Sequence, residues 1–226
     1  MAAAEPVERR PWGPGSPAGD PGEFERLTAE EVVEEAIARF HPGLVVATSF
    51  QKEASVILDL VMRVDPTVPV FTLDTGALFP ETRDTWRAME ERYGIRIEGV
   101  RGLHLDRHWE RDPDRCCDVR KVRPLRDHLA GRRAWFTGLR REQSPQRAGT
   151  PKLGWDRRHG LWKIAPLADW TERDVWRYIM AHGVPYHPLH DRGYDSIGCW
   201  PCTQPGTGRD GRWAGRTKVE CGIHVA

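Results

Sequence analysis

Leu44-Val45-Val46-Ala47-Thr48-Ser49-Phe50-Gln51-Lys52-Glu53-Ala54-Ser55-Val56-Ile57-Leu58 changes its hydrophobic period part way along, and that change decides the fold class. Leu44 to Ala47 is a short apolar run bounded by Gly43, as a buried strand requires. Residues 48–53 form a polar loop, and Ala54 to Arg63 then follows a helical spacing. The unit repeats downstream: Val68 to Leu73 reads as a strand that stops at Asp74-Thr75-Gly76, ahead of a helix from Pro80 to Tyr93 and a third strand from Ile95 to Val100. Strands alternating with helices of this length predict parallel βαβ units, whose ligands lie beyond the carboxyl ends of the strands. The predicted class is therefore α/β, a mostly parallel sheet flanked by helices. The loops 48–53 and 74–76 are the first places to look for a ligand, and a helix N-terminus after the first offers N–H groups to an anion.

Working outward, Thr28-Ala29-Glu30-Glu31 is a capping box opening an amphipathic helix that ends near His41-Pro42-Gly43. Ala134 to Gly138 and Trp162 to Leu167 read as further strands, and Thr171-Glu172-Arg173-Asp174 caps a helix to about His182. Residues 1–22 hold five Pro and four Gly with few aliphatic residues and are expected to be a disordered leader. Residues 23–205 make the ligand-binding domain, and 206–226 a tail expected to be mobile unless a ligand or metal holds it.

No stretch reaches the roughly 18 apolar residues that a membrane-spanning helix needs. The start lacks the apolar core of an export signal, so a cytoplasmic chain without membrane association is expected. The formal charge is only +1, but it is unevenly spread. Residues 20–39 carry two basic and seven acidic side chains, whereas 101–133 carry ten and six, and 137–163 seven and two. The basic residues are interspersed with Gly, Ser, Gln and Pro rather than set on a helical stripe, a pattern suited to phosphate or sulfate in a pocket more than to a nucleic-acid groove.

The five cysteines divide four against one. Cys199-Trp200-Pro201-Cys202 is a turn that presents two thiolates to a soft metal, and Cys116-Cys117 is a vicinal pair. Adjacent side chains of an extended segment point apart, so this pair could reach one small ion only from a bent backbone. Spacing leaves zinc, an iron-sulfur cluster and no metal all open. Lys121 follows the pair and is suited to stabilising anionic thiolates. The fifth, Cys221, lies in Glu220-Cys221-Gly222-Ile223-His224, with Arg209, Arg212, Arg216, Lys218 and His224 near enough in sequence to favour a thiolate nucleophile.

Together these motifs resemble the assimilatory adenylyl-sulfate (APS) and PAPS reductases over residues 28–226. The resemblance is carried by Cys116-Cys117 with Arg120-Lys121, Cys199-Trp200-Pro201-Cys202, Leu73-Asp74-Thr75-Gly76, Gly138-Leu139-Arg140-Arg141-Glu142-Gln143-Ser144 and the terminal Glu220-Cys221-Gly222-Ile223-His224. It implies a Rossmann-like adenine nucleotide alpha hydrolase-like fold and a 4Fe-4S cluster on Cys116, Cys117, Cys199 and Cys202. It implies a catalytic Cys221 assisted by Lys121 and His224, and a Cys-S-sulfonate intermediate formed from adenosine 5′-phosphosulfate. It implies thioredoxin or glutaredoxin as the reductant releasing sulfite, and it allows a homo-oligomer. The implied nucleotide-binding set is Thr48, Ser49, Phe50, Leu73, Asp74, Thr75, Gly76, Gly138, Arg140, Arg141, Arg209 and Arg212. The four paired cysteines favour APS over PAPS as substrate. One departure stands out: the loop 48–55 has no glycine, so close approach of phosphate to its backbone is less assured and Lys52 is the alternative source of charge. A zinc-stabilised nucleotide- or RNA-binding module, with ten Trp for base stacking, is the competing class.

Overall fold

The computed structural model describes residues 20–103, 108–218 and 220–224. In chain order the helices are α1 (Pro21–Phe24), α2 (Ala29–Phe40), α3 (Lys52–Val64), α4 (Pro80–Tyr93), α5 (His108–Arg111), α6 (Pro113–Cys117), α7 (Arg123–Leu129) and α8 (Glu172–His182). The strands are β1 (Leu44–Ala47), β2 (Val70–Leu73), β3 (Ile97–Val100), β4 (Ala134–Phe136), β5 (Leu153–Asp156) and β6 (Leu161–Ile164). They form one six-stranded sheet in the order β3-β2-β1-β4-β6-β5. All neighbours run parallel except β5, which pairs antiparallel with β6. The expected mostly parallel sheet flanked by helices is the architecture found.

Alternation along the strands fixes which side chains face which layer. Val46, Val70, Phe136 and Ile164 bury one face against α2, α3 and α8. Val45, Phe71, Trp135 and Leu161 bury the other against Leu125 and Leu129 of α7, where Ile223 of the tail also packs. Helix ends follow local chemistry. Thr28 and Thr171 each close a capping box, and Gly94 ends α4 at φ +63°, a left-handed conformation that costs glycine nothing. Strand boundaries move inward from those expected. β2 starts at Val70 rather than Val68 because Pro69, with no N–H, cannot join the ladder as a donor.

Three segments escape the sequence periodicity. Edge strand β5 is too short and too mixed to signal itself. The region 108–129 is helical, so Cys116 and Cys117 are not extended: they end α6, which starts at Asp112-Pro113 with the Asp112 carboxylate accepting from Arg115 N–H at 2.9 Å. A π-helical turn over Asp118–Val122 follows directly. The expected leader lies outside the described residues up to 19; at its end Asp20 caps α1 and Phe24 is fully buried.

Strand order reverses between β1 and β4, so a crevice opens beyond their carboxyl ends.

Candidate functional site

A cavity of about 370 Å³ occupies this crevice. Its walls come from the loop after β1 (Thr48, Ser49, Gln51, Lys52), the end of β2 (Leu73, Thr75), the loop after β4 (Gly138, Leu139, Arg140), the π turn (Lys121) and the tail (Arg209, Arg212, Cys221, His224). Of the expected catalytic and nucleotide-binding residues, eleven thus meet at one cavity, and four lie elsewhere. Phe50 is fully buried and stacks on Trp86 at 5.7 Å. Its φ of +60° costs roughly 1–2 kcal/mol in a side-chain-bearing residue, an amount that burial of the ring, about 1.5–3 kcal/mol, offsets. Asp74 is held by Arg101 at 2.8 Å and by Gly76 N–H at 3.1 Å. Burial would raise its carboxyl, but these donors and Arg83 outweigh it and hold it below the usual range. Asp74 thereby shapes the loop, with Gly76, rather than facing the cavity. Arg141 turns outward to Glu25 at 2.6 Å and to the Thr150 carbonyl at 2.9 Å.

The loop after β1 is less available to an anion than its position suggests. The Lys52 backbone N–H at the start of α3 donates to His190 Nε2 at 3.3 Å, and its Nζ donates to the Asp195 carbonyl at 3.1 Å and pairs with Glu172 at 3.2 Å. Gln51 Oε1 accepts from Ile197 N–H at 2.7 Å. Burial keeps His190 lowered, and as a neutral ring it donates from Nδ1 to the Tyr194 carbonyl. Arg140, 2% exposed, is likewise committed: it donates to Glu53 at 2.9 Å, Glu142 at 2.8 Å, Glu172 at 3.3 Å and the Trp170 carbonyl at 3.2 Å. Burial pushes Glu53 up, yet Lys52 and Arg140 reverse that and keep it ionised. Replacing Arg140 with alanine is expected to cost about 3–5 kcal/mol of stability because Glu53 stays buried without its hydrogen-bonded partner, with only Lys52 left as a nearby cation. Urea unfolding measures this. Adding Glu53→Gln to that variant should recover part of the loss, and a cost below roughly 1 kcal/mol would show that the pair is not buried as described.

A second charged group lines the cavity around the tail. Lys121 loses stabilisation of its ammonium to burial, but Cys199, Cys221 and Cys117 around it outweigh that and raise it. The π turn inserts one residue into the helix, which aims Arg120 at the Thr75 carbonyl (2.8 Å) and Lys121 into the cavity. Arg212 donates to Ser196 Oγ and the Ile197 carbonyl, each at 3.3 Å, and lies 4.5 Å over the Trp213 ring. Arg147, which sequence reasoning missed, pairs with Glu220 at 2.8 Å, and Arg209 pairs with the same carboxylate at 2.9 Å. No periodicity marks Arg147, and only its position in the cationic stretch could have pointed to it. His224 stacks on Trp135 at 5.6 Å. Burial, reinforced by Lys163, drives its pKa well down, so the ring is neutral and cannot supply the positive charge expected of it beside Cys221.

The other four thiols wall a second, smaller cavity with Ala77, Trp109, Pro113, Pro201 and Trp213, and Lys121 and Arg212 line both cavities. The 199–202 turn is fastened by Thr75 Oγ1 to Cys199 Sγ at 3.2 Å and by Trp200 N–H to the Ala77 carbonyl at 2.9 Å. Burial raises the Cys116 and Cys202 thiols and takes Cys117 up to about 11; Cys199 is lowered because Lys121 and Thr75 outweigh its burial. Three thiols that resist ionisation in an apolar cavity, with cations at its rim, form a donor set that a thiophilic metal centre would deprotonate. Among the described residues no group of three or more His, Cys, Asp or Glu side chains is placed to hold a single metal ion.

Residues 43–205 match the phosphoadenosine phosphosulfate reductase domain family. The chain is 41% identical over 240 aligned positions to the adenosine 5′-phosphosulfate reductase of Salinibacter ruber, covering 100% of this chain and 95% of the relative. It is 44% identical over 210 positions to that of Bacillus pumilus, covering 87% and 90%. Among solved structures, phosphoadenylyl-sulfate reductase from Candida auris in a phosphate complex gives a TM-score of 0.73 at 30% identity, over 81% of this chain and 94% of that one. Yeast FAD synthetase in complex with FAD gives 0.59 at 14% identity over 83% and 73%, a likeness of fold alone.

Proposed function

This chain belongs to the phosphoadenosine phosphosulfate reductase family, and we propose that it reduces adenosine 5′-phosphosulfate to sulfite and AMP with a dithiol protein, thioredoxin or glutaredoxin, as electron donor. The observation that carries this reading is that Cys221 lines one cavity with Lys121, Arg209 and Arg212 at the point where strand order reverses. Adenosine lies toward the loops after β1 and β4, and the phosphosulfate lies toward the tail. Two anions and a thiolate repel one another, and the three cationic side chains offset that repulsion where charge accumulates.

In the first step the Cys221 thiolate attacks the sulfur of the sulfate group. The S–O bond to phosphate breaks, AMP leaves with the bonding pair, and the SO₃ unit stays on Cys221 Sγ. A thiolate of the reductant then attacks that Sγ, sulfite departs with the electron pair, and a mixed disulfide forms. The second thiol of the reductant resolves it and frees Cys221, so the dithiol supplies both electrons. Lys121 and Arg212 hold the anionic end, and Trp135 and Leu73 exclude water beside it. Cys116, Cys117, Cys199 and Cys202 would hold a 4Fe-4S cluster, which supplies a fixed charge centre beside the anionic end of the nucleotide and a brace for the 199–213 loops.

APS is favoured over PAPS by those four cysteines and by the relatives that bear the APS name. No described helix is long and apolar enough to cross a membrane, and operation in the reducing cytoplasm fits the free thiols. Incubation with APS and no reductant should add one SO₃ unit, roughly 80 Da, to the C-terminal peptide, as covalent catalysis by Cys221 requires. Mass spectrometry that finds the unmodified peptide after exhaustive incubation, or turnover of PAPS in preference to APS, would refute the reaction or the substrate respectively.

A further inference from the structure

The carboxylate of Glu220 is divided between two guanidinium groups of the large cavity. Oε1 accepts from Arg147 Nη2 at 2.8 Å and Oε2 from Arg209 Nη2 at 2.9 Å. Arg147 and Glu220 side chains are 12% and 20% exposed, so the contacts are sheltered from solvent rather than spread on the surface. Two arginines on the two oxygens of one carboxylate are also the arrangement that grips a phosphate or sulfate. Around Cys221 the chain is therefore held on both sides by different chemistry. Glu220 is a polar contact with the anion seat. Beyond it Gly222 turns the backbone at φ +85°, Ile223 packs under the sheet beside Leu125 and Trp135, and His224 stacks on Trp135. The contacts beyond Cys221, which include the Gly222 carbonyl accepting from Arg158, lie away from the anion seat, whereas the Glu220 contact occupies it.

We propose that Glu220 is a positioning residue that occupies the anion seat before the nucleotide arrives, and that the incoming phosphosulfate displaces it from Arg147 and Arg209. Displacement swings Cys221 about Gly222 while Ile223 and His224 stay docked, so nucleotide binding and the release of the thiol are one event. The inference rests on the proposed nucleotide site. Linkage makes it reciprocal: whatever factor the contact contributes to holding the tail, it subtracts from nucleotide affinity.

The test compares the full-length chain with Glu220→Gln and Glu220→Asp, using AMP as the probe. Two readings are taken: AMP affinity by calorimetry, and the rate at which iodoacetamide alkylates Cys221, followed on the C-terminal tryptic peptide. If the tail is released in roughly 10% of molecules without ligand, Glu220→Gln binds AMP about ten-fold more tightly. In the parent chain AMP accelerates Cys221 alkylation by a similar factor; in Glu220→Gln alkylation is already fast and AMP adds little. Glu220→Asp, which keeps the charge, stays closer to the parent in both readings, an outcome that loss of packing would not produce. AMP that binds parent and Glu220→Gln equally, with unchanged alkylation, overturns the displacement alone. Failure of AMP to bind the parent chain overturns the nucleotide site and this inference with it.

Discussion

Replacing Cys221 with serine is expected to lower sulfite formation by about a thousand-fold or more, while nucleotide affinity changes little. A serine hydroxyl stays protonated where a thiol can ionise, so the attack on sulfur loses its nucleophile. The loss is compounded at the second step. Even a sulfated serine would carry an O–S bond, with no enzyme sulfur at which a reductant thiolate could attack and expel sulfite. The substitution costs the fold little, because Cys221 is only partly buried and the anchoring contacts of Ile223 and His224 with the α7 side of the sheet do not involve Sγ. Lys121, Arg209 and Arg212 still line the cavity in the variant, so the proposed anion contacts are left in place. Sulfite release under saturating APS and reductant, together with AMP titration, decides the matter: a serine variant that matches the parent rate removes Cys221 from the chemistry.

The contrast between what sequence revealed and what it hid tracks the range of the forces concerned. β1, α2, α4 and α8 were legible because their signals are local: a short apolar run bounded by Gly43, capping boxes at Thr28 and Thr171, Pro80 at a helix start and Gly94 at its end. The paired thiols and the terminal Cys221 were legible as candidates because few residue types bind soft metals or attack sulfur, and the structure gathers the four at one small cavity and brings Cys221 to the other. The hidden features depend on partners far along the chain. The inward turn of Phe50 onto Trp86, the capture of Lys52 by His190 and Asp195, and the outward turn of Arg141 toward Glu25 each involve residues 36 to 143 positions apart. The cationic residues illustrate this most clearly. By composition Arg140, Arg141 and Lys52 are as suited to phosphate as Arg212, yet Arg140 and Lys52 are buried against Glu53 and Glu172, and Arg141, partly exposed, turns to Glu25. Arg209 too is paired, with Glu220 of the tail. Arg147 was passed over for the converse reason, since only the return of the tail brings it to the cavity.

The vicinal cysteines bring out a different physical point, and with it the second large effect. Their helical placement removes the objection that adjacent side chains point apart, because α6 and the π turn after Cys117 bend the backbone there and both thiols face the cavity shared with Cys199 and Cys202. Cys202 also fastens the end of the chain. Its N–H closes the turn on the Cys199 carbonyl at 3.0 Å, its carbonyl accepts from Trp213 N–H at 3.0 Å, and Thr203 bridges Arg212 across the loop. A centre bound at these thiols therefore ties α6 to the segment that carries Arg209 and Arg212. Metal affinity of this kind is folding free energy, on the order of 10 kcal/mol or more for structural sites. Cys202→Ala should accordingly lose the iron, the absorbance at roughly 400 nm expected of an iron-sulfur chromophore, and most of the soluble yield together. Cys202→Ser separates ligation from packing: it restores the volume but not the soft donor, so it should fail as the alanine variant does. Cys221→Ser, purified alongside, should keep both iron and colour. Iron analysis, the visible spectrum and the thermal midpoint of the three proteins check this. A Cys202→Ala protein that is soluble, free of iron and as active as the parent would show that the four thiols are not a site the enzyme needs.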